Sequence, residues 1–263
     1  MPREIVTSRA NPLIKRLRAL LAGAAAEGVA VLEGFKLVEE ALSAGLQIPD
    51  VALTPHALER HAALAARLEE RGAALRIVTS SVLDALSEAS ASQGLLAIAG
   101  RPVFDEDAMF HGVPLIVVAA GIQNPGNLGA LLRTAEAAGA TGAYVTADSA
   151  DTMSWKALRG AMGSAFRLPH VTGIGAEEAM ARLARRRVRT VAALAGASER
   201  YDAFDFTGPV ALLFGNEGAG LPAVIASRAD ARVRIPIAPA VESLNVGVAA
   251  GILLFEAARQ RRR

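Results

Sequence analysis

The sequence contains no cysteine, which excludes disulfides, thiolate metal sites and a cysteine nucleophile. Its four histidines, His56, His61, His111 and His170, show none of the pair spacings of a zinc site, so no metal is expected. No apolar run reaches the length of a membrane span, and the N-terminus carries no apolar signal region. A soluble, cytoplasmic protein with no membrane partner is therefore expected. Internal repeats are absent. So is a G-x-S-x-G elbow, which argues against a serine hydrolase. The glycine-rich string starting at Gly215 reads G-x-x-G-x-G where a dinucleotide-binding oxidoreductase needs G-x-G-x-x-G, and it lacks the Lys and Ser/Thr of a phosphate-binding P-loop.

Charge of one sign is also scarce overall, with a formal net charge of +2 over 263 residues. The cationic residues are clustered, however. Arg182, Arg185, Arg186, Arg187 and Arg189 lie together, Arg259 and Arg261–Arg263 close the chain, and Arg9, Lys15, Arg16 and Arg18 open it. Such clusters suit a polyanion, because each phosphate contact releases counterions. Solvated helix faces are the plainer reading, so charge alone assigns no partner.

A hydrophobic content of 52% is that of a globular chain, long enough for two modest domains. Residues 11–99 alternate helix-like segments (NPLIKRLRALLA, FKLVEEALSAG, HALERHAALAARLEERG and one from Ser81) with strand-like ones (VAVLEG, DVALT, LRIVT, LLAIA). This predicts a small α/β domain over 1–100. The Gly-, Pro- and acid-containing stretch 101–112 reads as a linker. From 113 to 263 a second α/β domain is expected, with strands in PLIVVAAGI, AYVTA, FRLPHV, RTVAAL, PVALLFG and VRIPI. Their continuous apolar character points to a mostly parallel sheet buried on both faces.

Three strings in this second domain carry the chemistry. In IQNPGNLGALLRTAEAAGA, from Ile122, Pro125 and Gly126 predict a turn after a strand, and Asn127 is placed to cap a helix from Leu128. Arg133 falls off that helix's apolar face beside Gly129, where it suits a phosphate or a developing oxyanion, or an ordinary salt bridge to Glu136. In LLFGNEGAGLP, from Leu212, Gly215, Gly218 and Gly220 allow positive φ and close ligand approach. Glu217 there reads better as a brace or charge partner of Arg133 than as a base for a ribose hydroxyl. In RIPIAPAVESLNVGVAAG, from Arg234, Ser243 or Asn245 can cap a helix over Val246–Phe255 that is apolar nearly all round. In open α/β sheets ligands bind beyond the carboxyl ends of strands, so three such turns suggest one composite site.

In this order, the three strings resemble the three motifs of the SpoU (TrmH-like) branch of the SPOUT RNA methyltransferases. The strings SRANPLIKRLRALL and VLEGFKLVEEAL resemble the L30e-like substrate-binding domain that precedes the catalytic domain in many of these enzymes. The resemblance implies a C-terminal domain with a deep trefoil knot, S-adenosylmethionine as cofactor, and 2'-O-methylation of RNA, with ribosomal RNA favoured over transfer RNA. A catalytically silent RNA-binding member of the fold is the alternative. It further implies Arg133, Asn127, Glu217, Ser243 and Asn245 at the catalytic centre, and Gly215, Asn216, Ile235, Leu244 and Ser243 around the cofactor. Lys15, Arg16, Lys36 and Arg159 are the implied RNA contacts, with Arg159 and Ser164 facing RNA or a partner subunit or, equally, belonging to a packed small-residue helix, and a homodimer forms through the catalytic domain.

Overall fold

The computed structural model describes residues 5–22, 28–87, 92–216 and 218–262. Contacts divide the chain into two compact units, one running up to Pro102 together with Met153–Leu158, the other comprising Val103–Thr152 and the chain from Arg159.

The first unit runs β1 (Ile5–Val6), α1 (Pro12–Leu21), β2 (Val29–Glu33), α2 (Phe35–Ser43), β3 (Asp50–Leu53), α3 (Pro55–Arg60), α4 (Ala62–Glu70), β4 (Ala74–Val78), α5 (Ser80–Asp84) and β5 (Leu95–Gly100). Its sheet is mixed, in the order β1-β4-β3-β5-β2. β4 pairs parallel with β1 and β3, whereas β5 pairs antiparallel with β3 and β2. Asn11 caps α1 by accepting from the Leu13 N–H at 2.9 Å, and the helix buries Ile14 and Leu17 against Val31, Ala52, Leu96 and Ile98. The single helix expected over residues 56–72 is two. The backbone leaves the helical region at His61 (φ −124°, ψ 37°), whose ring stacks on Phe35 at 3.5 Å, and Thr54 rather than a later residue caps the first piece.

The strands and α-helices after Pro102 are β6 (Leu115–Ala119), α6 (Pro125–Ala137), β7 (Gly142–Thr146), α7 (Trp155–Ala161, whose residues up to Leu158 group with the first unit), α8 (Ser164–Arg167), β8 (His170–Ile174), α9 (Ala176–Arg185), β9 (Arg189–Ala193), β10 (Glu199–Arg200), β11 (Val210–Phe214), α10 (Ala223–Arg228), β12 (Ala231–Arg234) and α11 (Val246–Arg261). The sheet order of the second unit is β10-β12-β9-β11-β6-β7-β8 and every pairing is parallel. Each residue of β6, β7 and β11 is buried, as expected of a sheet covered on both faces. The strand expected from Phe166 begins only at His170. Pro169 has no N–H to donate and biases Leu168 toward extended backbone, so Ser164–Arg167 closes as a short helix first.

Within the stretch read as a linker, Glu106–Phe110 forms a 3-10 turn whose Met109 is fully buried. A Cβ at Gly142 would overlap the Met109 side chain, so β7 must carry glycine there. The Tyr144 hydroxyl donates to Glu106 at 2.6 Å, Arg182 donates to Glu106 at 2.5 Å and to Glu178, and Arg186 pairs with Asp107 over the Phe110 ring. Two members of the arginine-rich segment are thereby engaged in holding this turn, and Arg189 lies over Phe204 at 4.5 Å.

Candidate active site

The carboxyl ends of β12, β9 and β11, which are neighbours in the sheet, open into a cavity of about 390 Å3. Its walls are Ala193–Ala195 at the end of β9, Phe214, Gly215, Asn216, Gly220 and Leu221 at the end of β11, Ile235, Ile237 and Glu242–Leu244 after β12, and Val246 and Ala249 at the start of α11. The size and largely apolar lining match those of small-molecule sites.

Hydrogen bonds of Asn216 hold the described parts of the second turn together. Asn216 and Gly220 bridge through two backbone hydrogen bonds of 3.0 and 2.8 Å. The Asn216 Oδ1 accepts from the Gly218 and Ala219 N–H groups at 2.9 and 3.0 Å. Its Nδ2 donates to the Gly121 carbonyl at 2.9 Å and so ties the second turn to the first. The Asn216 side chain is thus spent on the loop, and what it offers a ligand is the shape it holds. Gly220 takes the positive φ expected (70°). Gly215 does not. It is required for proximity instead, since a Cβ there would collide with the Gly220 carbonyl carbon and the Leu221 nitrogen. Glu217 lies outside the described residues.

In the first turn, Asn124 caps α6, accepting from the Gly126 and Asn127 N–H groups at 2.9 and 3.2 Å. The expectation that Asn127 caps a helix from Leu128 is corrected. Pro125 is pre-set for the first helical position, so the helix starts three residues earlier and Asn127 lies within its first turn. From there Asn127 Oδ1 accepts from Asn245 Nδ2 at 3.1 Å. Asn245 is itself the cap of α11, accepting from Gly247 and Val248. One asparagine pair therefore joins the first and third turns, and α11 packs along α6 through small residues, with Gly247 over Ala130 and Gly251 over Thr134. Ser243 does not cap; it lines the cavity with Ile235 and Leu244.

Arg133 is exposed on α6, and its side chain makes no ion pair or hydrogen bond among the described residues. The salt bridge to Glu136 does not form, because Arg167 holds Glu136 with bonds of 2.7 and 2.9 Å. That pairing, first, and the Ser164 hydroxyl hold the Glu136 carboxyl below its usual range against the opposing effect of burial. Ser164 is consequently buried, at 2% exposure, and cannot face RNA or a partner. Gly129 is buried too, and the space beside it belongs to α7. A Cβ at Gly160 would come within 2.8 Å of the Gly126 carbonyl oxygen and 3.3 Å of the Gly129 carbonyl carbon. The glycine serves a helix contact and leaves no opening for a substrate backbone.

Several residues of the site escaped sequence reasoning. Thr146, the last residue of β7, and Ser149 just beyond it receive the Gly121 and Ile122 N–H groups, each at 3.0 Å, and fix the entry to the first turn. Their signal was a Thr/Ser pair at the end of an apolar strand. Ala193–Ala195 line the cavity because β9 ends beside β11, a neighbour relation that no local pattern carries. Of the expected RNA contacts, Lys15, Arg16, Lys36 and Arg159 are all exposed. Arg16 donates to Asp50 at 2.8 Å and Lys36 pairs with Glu40 at 3.1 Å.

The SpoU rRNA Methylase family model matches residues 114–255, and the MRM3-like substrate binding domain matches residues 11–97. A protein of Synechocystis sp. named as an uncharacterized tRNA/rRNA methyltransferase is 34% identical over 97% of this chain and 94% of its own. The 23S rRNA (guanosine-2'-O-)-methyltransferase RlmB of Ralstonia nicotianae is 39% identical over 57% of this chain, which spans 61% of that relative. Among solved structures, the AdoMet-bound rRNA methyltransferase of Sinorhizobium meliloti superimposes with a TM-score of 0.84 at 33% identity, over 97% of both chains. With a parallel sheet whose turns converge on one cavity and a family match over most of the C-terminal unit, the chain belongs to the SpoU rRNA methylase family.

Proposed function

We propose that this protein is an S-adenosylmethionine-dependent RNA 2'-O-methyltransferase acting on ribosomal RNA in the cytoplasm. The observation that supports it most is that Asn216–Gly121 and Asn245–Asn127 tie the first turn to the second and third turns, which line the cavity at the ends of β12, β9 and β11. The lining fits the cofactor. Leu221, Ile235, Ile237 and Leu244 offer apolar walls to an adenosyl group, Gly215 lets the loop backbone close in, and Ser243 and Glu242 supply polar groups beside it. When bound, S-adenosylmethionine supplies an electrophilic methyl group on a sulfonium.

The chain's own residues would then orient and polarise the acceptor. Asn127 and Asn245 hold each other where the first and third turns meet. Arg133, with no partner among the described residues, is available to an RNA phosphate or to the oxygen that loses its proton. Ser243 faces the cavity, and Glu217 is assigned a bracing role by family likeness. With the donor bound, these residues would align the ribose oxygen with the methyl group that it would accept, and the hydroxyl proton would pass to solvent. Exposed Lys15, Arg16, Lys36 and Arg159 are assigned to RNA. Domains over 1–100 and 113–263, joined by 101–112, would divide RNA binding from chemistry.

A homodimer through α11 completes the reading. The helix is apolar nearly all round, yet Val248 and Phe255 are 53% and 48% exposed. A second copy covering them would bury the stripe. Mapping 2'-O-methyl groups in ribosomal RNA from cells with and without the gene tests the function. One position should lose its methyl group without the gene, and an unchanged map would reject ribosomal RNA as the substrate.

A further inference from the structure

Among the described residues, Glu242 is the one charged side chain lining the cavity at the ends of β12, β9 and β11. It is exposed, adjoins Ser243, and its carboxylate has no hydrogen bond or ion pair to any described group. Of the other polar walls, the Asn216 side chain is consumed by its own loop and by Gly121, and Ser243 offers a neutral hydroxyl. The rest of the lining is apolar side chain or small residue. A carboxylate at the rim of an apolar cavity gives that cavity a negative potential, and it favours whichever ligand carries the larger positive charge.

The two compounds such a site must handle differ in that property. S-Adenosylmethionine carries an ammonium, a carboxylate and a sulfonium, and so has a net charge of one positive unit. The spent product, S-adenosylhomocysteine, keeps the ammonium and carboxylate but has a neutral thioether, and so has no net charge. We propose that Glu242 is a specificity residue that distinguishes the methyl donor from its spent product by pairing with the sulfonium charge, an inference that rests on the cofactor reading above. Loss of that charge on methyl transfer removes the attraction and assists product release. Because the sulfonium charge is already declining in the transition state, Glu242 stabilises the bound donor more than it stabilises the transition state. Its removal should therefore raise KM for the donor and, where the chemical step limits turnover, raise kcat slightly.

The test is calorimetric titration of the full chain and of Glu242→Gln with each compound separately, at low and at high salt. An exposed pairing is modest in strength, so the variant should bind S-adenosylmethionine roughly three- to tenfold more weakly. Binding of S-adenosylhomocysteine should change less than about twofold. The difference should shrink at high salt, where exposed charges are screened, and Glu242→Asp should recover part of the discrimination. Gln is isosteric with Glu and the site is an exposed loop, so matching thermal transitions will show that folding is intact. Equal weakening of both compounds would overturn the proposal by placing Glu242 on the shared ammonium, and unchanged binding of both would overturn it outright. If the unaltered protein bound neither compound, the cofactor reading itself would fall, and the proposal with it.

Discussion

At the scale of single residues, the structure separates arginines that hold the fold from one that does not. Arg167, Arg182 and Arg186 are committed to carboxylates, whereas Arg133 stands exposed on α6 without a described partner. Arg133→Ala should therefore leave stability within about 0.5 kcal/mol of the parent. It should bind S-adenosylmethionine nearly normally, yet lose about 100-fold or more in single-turnover methyl transfer at saturating RNA. Arg133→Lys should restore little, because an ammonium cannot reproduce the planar fork. Full activity in the alanine variant would remove Arg133 from the chemistry. His170 makes a prediction of a different kind. Burial, chiefly, depresses its pKa, although the Leu168 carbonyl and Asp151 oppose the shift. Its Nδ1 lies 2.9 Å from that carbonyl and its Nε2 lies 3.2 Å from the Thr152 hydroxyl. A base depressed in the folded state takes up protons more readily when unfolded. Stability should thus fall as pH drops below about 6.5, the ordinary histidine value. Urea midpoints between pH 7 and pH 5 should fall less in His170→Asn than in the parent; parallel declines would refute the assignment.

At the scale of elements, α11 is held at both ends by specific polar contacts as well as by packing. At its start Asn245 has two jobs, capping the helix and donating to Asn127. Asn245→Asp keeps the cap acceptor and removes the donor, so it should fold with near-parental stability while methyl transfer falls. Asn245→Ala should also cost about 1 kcal/mol from the lost cap. If the two variants behaved identically in both stability and transfer, the distinction between cap and tie would be lost. At its far end Arg261 donates to the carbonyls of Val113, Pro114, Phe206 and Gly208. Arg261→Ala should destabilise the protein by roughly 2 kcal/mol, read as a shift in urea midpoint, because charged donors leave and carbonyls lose partners. Much of this architecture was legible in sequence. The apolar runs marked β6, β7, β9 and β11, and the nearly all-apolar run from Val246 to Phe255 marked α11 as a helix packed on several sides. The helix break at His61 and the late start of β8 were not legible, because stacking on Phe35 and the reach of Pro169 act across a pattern that otherwise looks continuous. Asn127 was misplaced as a cap because two asparagines flank Pro125-Gly126, and only the backbone reveals which one precedes the helix.

At the scale of the whole molecule, the motif order identified the family, but the site depended on neighbour relations that the chain order hides. β9 lies between β12 and β11, although Thr190 and Asp230, whose side chains meet at 2.7 Å, are 40 positions apart in the chain. The walls contributed by Ala193–Ala195 and the unpaired Glu242 follow from that arrangement. A parallel consequence concerns assembly. With Val248 and Phe255 uncovered on α11, light scattering should report a dimer, and Phe255→Arg should shift it toward monomer; a monomeric parent with full activity would contradict the interface. The central claim is that the composite cavity directs a methyl group to a ribose oxygen. It is tested most directly by incubating the purified protein with ribosomal RNA and methyl-labelled S-adenosylmethionine, followed by alkaline hydrolysis. A 2'-O-methyl group blocks cleavage of the adjoining phosphodiester, so the label should appear in alkali-resistant dinucleotides. Label confined to mononucleotides, as base methylation would give, or no incorporation at all, would contradict the account.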